Sequence, residues 1–283
     1  MGAAFAINLR HAGIDTTVWD RRPDSTVASA AAGATVASSP TEAVAHADVV
    51  ITMLPDADAV TDVLDDQGTL KAFAPKGTWV QMGTIGLAGT DRMAALVAEQ
   101  RPDVSFVDAP VSGSKTPAEH AQLLILASGP PAVRTQLEPV FDALGRRTLW
   151  LGEAGQGMRL KLVLNAWMAF VMEGLAETTA LADALGVTHA QLEEALDGSP
   201  LAAPWALDKL TNKIDSGDYA PEFSLAWATK DVGLALDSAH RHLPALAAIG
   251  EQWRQAVSEG YGSLDISAAR PALEPRGAHA GSA

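Results

Sequence analysis

Lys161 lies in the apolar segment MRLKLVLNAWMAFVM (158–172), and Asn165 follows it four residues later. On a helix that spacing puts both side chains on one face. An ammonium group there can donate a proton to an oxygen gaining charge, and with its pKa lowered by desolvation it can take one back. The amide can orient the lysine or bind a polar end of a substrate. Taken singly, such a lysine more often carries its charge out to water, and such an asparagine is more often a satisfied buried amide. Ser112 and Gly113 pair a hydroxyl with a backbone that other groups can approach closely, although an isolated Ser-Gly is commonly an ordinary turn. Asp20 is followed directly by Arg21 and Arg22, so a hydroxyl-binding carboxylate adjoins two phosphate-binding guanidiniums.

The remaining polar groups narrow the chemistry. There is no cysteine among the 283 residues, which removes disulfides, thiolate nucleophiles and thiolate metal sites. His240 and His242 have no further ligands at metal spacing, so no metal is expected. Glu173 and Glu177 share a helix turn and are read as a solvated or interdomain face, and the seven scattered tryptophans suit packing. A formal net charge of −14 repels nucleic acid and anionic lipid, so neither is an expected partner. The most apolar run, LVLNAWMAFVM (162–172), is far short of the roughly 20 residues that span a bilayer. The opening MGAAFAINLRHAG has no secretory pattern, and a cytoplasmic protein is expected.

These residues need elements to hold them. Residues 3–12 place Phe5 and Leu9 at helical spacing before Gly13, and TTVWD (16–20) follows as a β-branched strand. DVVITMLP (48–55), GTWVQMG (77–83), VSFVDAPV (104–111), LLILASG (123–129) and RTLWLG (147–152) are further strands, with helical segments between them, including 131–144. Strands alternating with helices predict a parallel sheet covered on both faces. After Gly157 the pattern becomes helical, opening with one long helix over 158–185 and punctuated by Gly186, the GSP at 198–200, the SGDYAP at 216–221 and Pro244. Two domains are therefore expected, 1–153 and 154–268, with a disordered tail over 269–283. No internal repeat of useful length is present.

MGAAFAINLRHAGIDTTVWDRR (1–22) resembles the end of a β-hydroxyacid dehydrogenase fingerprint, with Gly2 as the third glycine of G-x-G-x-x-G and Asp20 18 positions later. MLPD (53–56) is similar to that family's Leu-Pro loop, and QMGTIG (81–86) to its Ser-Thr segment. DAPVSGSKTPAEHAQLLILASG (108–129) resembles the substrate signature of the glyoxylate and semialdehyde reductase branch. GQGMRLKLVLN (155–165) resembles the catalytic helix, and FSLAWATKD (223–231) the Lys-Asp segment that closes over the cofactor. The resemblance covers about residues 1–268 and implies a Rossmann-type dinucleotide-binding domain, lacking its first strand in this chain, followed by an all-α domain reached by a long interdomain helix.

The resemblance implies roles for individual residues. Lys161 is the general acid/base and Asn165 its catalytic neighbour; Ser112 and Gly113 hold a substrate carboxylate, while Trp227, together with Phe223, lines the substrate pocket. Gly2, Asp20, Arg21, Arg22, Leu54, Pro55, Thr84 and Lys230 bind the cofactor, NADP or NAD, with Arg21 and Arg22 inclining the choice to NADP. Lys230 and Asp231 can equally be a solvated helix end. The reaction implied is interconversion of a small β-hydroxy acid and its semialdehyde, or reduction of a small keto acid or aldehyde, by a homodimer formed through the helical domain. Imine reductases share the architecture but generally lack a lysine at the place of Lys161, and a non-catalytic relative is the other alternative. A sheet without its central first strand is expected to leave unpaired strand edges and a weaker pyrophosphate cradle. The resemblance thus implies a reading frame opening at an internal Met, with about ten residues ahead of it.

Overall fold

A computed structural model describes residues 1–274. The chain divides into two compact units, Met1–Leu162 and Val163–Ala283. The first alternates strands with helices: α1 Gly2–His11, β1 Thr17–Val18, α2 Val27–Ala31, β2 Thr35–Val36, α3 Pro40–Val44, β3 Val49–Thr52, α4 Ala57–Thr61, β4 Thr78–Gln81, α5 Gly86–Gln100, β5 Ser105–Asp108, β6 Val111–Ser112, α6 Lys115–Glu119, β7 Leu123–Ala127, α7 Arg134–Leu144 and β8 Gly145–Trp150. Helix α8, Gln156–Leu185, begins in this unit and continues into the second. Its 30 residues make it about 45 Å long. The second unit is helical, with α9 His189–Leu196, α10 Pro204–Lys209, α11 Leu225–Ala239 and α12 Pro244–Ser258, as the sequence pattern implied.

Three sheets organise the first unit. β1 pairs in parallel with β2, β3–β4–β5 are parallel in that order, and β7 runs parallel to β8 and antiparallel to β6. Period-2 alternation sends Val80 of β4 to a core with Phe5, Leu9 and Phe141, while Trp79 enters a second core with Leu64, Met93 and Met158. The sheet is therefore apolar on both faces, as strand-helix alternation requires. β1 and β3 belong to different sheets, so among the described residues β3 is paired on one side only. The consequence is visible in burial: β4, with neighbours on both sides, is buried along its length, whereas Val49 and Ile51 of β3 stay half-buried.

Several expectations need correction. VSFVDAPV is not one strand: Ala109–Pro110 breaks it, β5 stays in the parallel sheet, and β6 turns back antiparallel to β7, so the sheets are not wholly parallel. TTVWD contributes only Thr17–Val18, and β2 had no visible signature beyond Thr35–Val36. Glu173 is not a solvated carboxylate; it is buried, accepts from the Trp253 indole at 2.6 Å and from the Gln252 amide, and burial raises its pKa against those bonds, with exposed Glu177 adding to the rise. Residues 269–274 are not a disordered tail, since short 3₁₀ turns at Ile266–Ala269 and Pro271–Leu273 flank a buried Arg270 that pairs with Asp183 and Glu274. Residues 275–283 lie outside the described residues.

Candidate active site

Apart from Gly2, the expected cofactor residues of the first unit follow the carboxyl ends of parallel strands, where open α/β sheets bind ligands. α1 opens at Gly2, whose position lies 4.0 Å from the Met53 Cβ if a Cβ is added, and its buried Phe5, Ala6 and Leu9 fix it on the core. Its first turn leaves backbone N–H groups without intrahelical acceptors, a favourable setting for anionic oxygen. Beyond β1, the Arg22 amide donates to Asp20 Oδ1 at 2.8 Å, which ties the Asp20 carboxylate into its own loop. Arg21 and Arg22 are exposed and line an open depression with Pro23, Asp24 and Ser25.

Two further loops meet closely. Leu54 and Pro55 follow β3, where Asp56 caps α4 by accepting from the Ala59 amide at 2.8 Å. Gly83 follows β4, and a Cβ on it would lie 2.3 Å from the Leu54 carbonyl, so only glycine permits this approach. Gln81 locks the turn that carries Thr84: its side-chain oxygen accepts from the Gly83 amide and its amide donates to the Gly83 carbonyl, both at 2.8 Å. Gln81 was not singled out from sequence; its signal was a lone amide in the apolar strand TWVQ. The N–H donors at the start of α1 and the two exposed arginines fit the phosphates of a dinucleotide.

Ser112 ends β6 and is half-buried, and Gly113 has φ +135°, with a Cβ there only 2.7 Å from Leu123 Cδ2. Both backbone conformation and space therefore demand glycine. Asn8 of α1 reaches across to donate to the Ala118 carbonyl of α6 at 2.8 Å, joining the nucleotide-side helix to the segment after Gly113.

Helix α8 starts against the ends of β5 and β7. The Met158 amide donates to Asp108 Oδ2 at 2.8 Å, the Gly157 amide to Ser128 Oγ at 2.9 Å, and Asp108 and Ser128 exchange backbone hydrogen bonds at 2.9 and 2.7 Å. Lys161, half-buried, follows one turn after this anchor. Asp108 and Ser128 also escaped the sequence reading, although both lie inside the segment that carries the resemblance.

In the second unit Asn165 is buried and donates to Asp231 Oδ2 at 2.6 Å. Ser224 caps α11, accepting from the Trp227 amide, so Trp227, Lys230 and Asp231 occupy its first two turns. The Lys230 ammonium lies 5.6 Å from the Trp227 ring centroid and 3.0 Å from Asp231 Oδ1, which orders this end of the helix beyond what a merely solvated terminus needs. No group of three or more potential metal ligands occurs among the described residues, nor any helix long and apolar enough to cross a membrane.

A doubly covered α/β unit followed by a helical unit that a lysine-bearing helix enters has the architecture of NAD(P)-dependent oxidoreductases that act on hydroxyl and carbonyl groups. Residues 1–152 match the family model described as the NAD binding domain of 6-phosphogluconate dehydrogenase, and residues 155–273 match that of NADP-dependent 3-hydroxyisobutyrate dehydrogenase. The chain belongs to this β-hydroxyacid dehydrogenase family. It is 34% identical over 278 residues to glyoxylate/succinic semialdehyde reductase 1 of Arabidopsis thaliana, covering 97% of this chain and 95% of that protein. It is 32% identical over 273 residues to 3-sulfolactaldehyde reductase of Escherichia coli, covering 95% and 91%. The solved 3-hydroxyisobutyrate dehydrogenase of Mycobacterium tuberculosis with L-serine superposes with TM-score 0.83 at 29% identity, covering 97% of this chain and 96% of that one. An imine reductase from Myxococcus stipitatus, at TM-score 0.66 and 20% identity over 97% and 96%, shares the fold.

Proposed function

We propose that this enzyme uses NADPH to reduce a small aldehyde or keto acid bearing an anionic terminus, and that the reverse reaction oxidises the matching hydroxy acid. The observation that carries this reading is Lys161, half-buried one turn beyond a helix start fixed on strand ends, in a family whose relatives include a glyoxylate/succinic semialdehyde reductase and a 3-sulfolactaldehyde reductase. When bound, the dinucleotide supplies the hydride that adds to the carbonyl carbon. The Lys161 ammonium donates its proton to the carbonyl oxygen as negative charge develops there, and in oxidation the neutral amine takes that proton from the alcohol. Ser112 and the backbone at Gly113 receive the substrate's carboxylate through hydroxyl and amide donors. Asn165, oriented by Asp231, and the Trp227–Lys230 pair are the helical unit's contributions to substrate and cofactor binding.

Gly2, Leu54, Pro55 and Thr84 hold the dinucleotide's backbone and riboses, while Arg21 and Arg22 receive a 2′-phosphate. The Arg22 amide takes only one acceptor site of Asp20 Oδ1, so the carboxylate can still accept from a ribose hydroxyl, and the inclination to NADPH rests on Arg21 and Arg22 alone. Replacing Arg21 and Arg22 by alanine should weaken NADPH binding roughly 10–100-fold and leave NADH within a few-fold, read by tryptophan fluorescence titration. Equal losses for both nucleotides would contradict the assignment. The substrate class is tested by NADPH oxidation with glyoxylate, succinic semialdehyde and 3-sulfolactaldehyde.

Val163, Trp167 and Phe170 form an exposed apolar stripe on α8 at 65%, 67% and 41% exposure, which supports a homodimer formed through the helical unit. Sedimentation velocity should give a dimer that Trp167→Glu converts to monomer; a monomeric wild type would refute it. The acidic surface and absence of cysteine support a cytoplasmic enzyme that binds no nucleic acid.

A further inference from the structure

We infer that Asp108 is a positioning residue for Lys161: with Ser128 it clamps the first turn of α8 to the ends of β5 and β7, so that the sheet sets where the lysine stands. This rests on Lys161 being the proton donor. Asp108 has no exposed surface, and a residue buried this completely at a strand end usually contributes apolar packing rather than a carboxyl. Here Oδ2 receives both the Met158 amide at 2.8 Å and the Ser128 hydroxyl at 3.2 Å. Ser128 Oγ in turn receives the Gly157 amide at 2.9 Å, so two of the unpaired N–H groups of the helix start are satisfied by one two-residue device. The arrangement leaves no room for adjustment, because a Cβ on Gly157 would lie 2.1 Å from the Leu126 carbonyl and 3.1 Å from Asp108 Oδ2.

Asp108 Oδ1 is buried and has no hydrogen bond of normal geometry among the described residues, although the Gly155 amide lies near enough to the carboxyl to act on it. Burying a carboxyl costs free energy, which the hydrogen bonds accepted by its other oxygen at the start of α8 offset in part. Burial pushes the carboxyl up from its ordinary 3.8 to about 7, opposed by the Met158 amide, the Ser128 hydroxyl and the Gly155 amide and reinforced by Asp91 of α5. The sign follows directly: the folded chain holds this proton until about pH 7 while the unfolded chain releases it near 3.8, so this group makes stability fall as pH rises through that window.

Asp108→Ala, Asp108→Asn and Ser128→Ala separate positioning from bulk stability. Hydrogen exchange on the peptide covering 156–165 reads the clamp without reference to activity, and NADPH-dependent reduction of glyoxylate and succinic semialdehyde reads its consequence. Asp108→Ala should raise exchange at the Gly157 and Met158 amides and lower kcat at least tenfold with KM for NADPH unchanged. Asp108→Asn, which keeps an acceptor oxygen, should recover most of the loss and flatten the stability decline between pH 4 and 7. If Asp108→Ala fails to fold, Ser128→Ala must show the same split between kcat and KM. Unchanged kcat with unchanged exchange in Asp108→Ala or Ser128→Ala overturns the clamp. Turnover that survives Lys161→Ala overturns instead the reading on which the clamp rests.

Discussion

Lys161→Ala lowers turnover roughly 10²–10⁴-fold, the range that positioned proton transfer contributes, while NADPH still binds with the affinity of the wild type. The reason is that the proposed mechanism has the lysine act on the oxygen of the reacting carbonyl, whereas it assigns the nucleotide chiefly to the start of α1 and the loops after β1, β3 and β4. The loss should therefore fall on kcat, with KM for NADPH moving little. Lys161→Arg should not rescue it, because a guanidinium of much higher pKa is a weaker proton donor and reaches further. Steady-state kinetics with fluorescence titration of NADPH checks both halves. Turnover within a few-fold of wild type would remove Lys161 from the mechanism, and a parallel collapse of NADPH binding would make it a nucleotide contact.

Gly157→Ala destabilises the protein by about 2–4 kcal/mol, although alanine is ordinarily the better helix residue by about 1 kcal/mol. The added methyl would meet the Leu126 carbonyl at 2.1 Å and the Asp108 carbonyl at 3.1 Å, both backbone atoms that cannot swing aside. The helix start must then lift from the sheet, loosening the Gly157–Ser128 and Met158–Asp108 bonds. Gly174, in the same helix, has nothing within 4 Å of its added Cβ, so Gly174→Ala should be neutral or slightly stabilising. Urea unfolding of the two variants makes the comparison. If they unfold alike, the close approach at Gly157 is not a constraint, and the fixed origin of α8 loses its main support.

Much of this was legible in the sequence, and the limits have physical causes. Lys161, Asn165 and Ser112–Gly113 could be singled out as candidates because their spacing sits inside long, ordered segments with matching flanks. The strands were found where both faces are apolar, as in TWVQ and LLILA, and were blurred where a short edge strand has little to bury, as at Thr35–Val36. The turn at Ala109–Pro110 could not be read, because VSFVDAPV is apolar throughout and periodicity does not reveal a change of sheet. Asp108, Ser128 and Gln81 were passed over for a related reason: each works through backbone groups distant in sequence, and their value appears only when those groups are brought together. The same holds for Glu173 and Arg270, which sequence alone assigns to solvent and which packing buries with partners.

The most direct test of the account is hydride transfer itself. NADPH deuterated at C4, on each face in turn, is incubated with the full chain and glyoxylate or succinic semialdehyde, and the hydroxy acid product is examined by NMR. Deuterium on the carbinol carbon, delivered from one face only and almost absent with Lys161→Ala, is the predicted result. No labelled hydroxy acid from either substrate, under conditions where NADPH is bound, would contradict the proposed reduction.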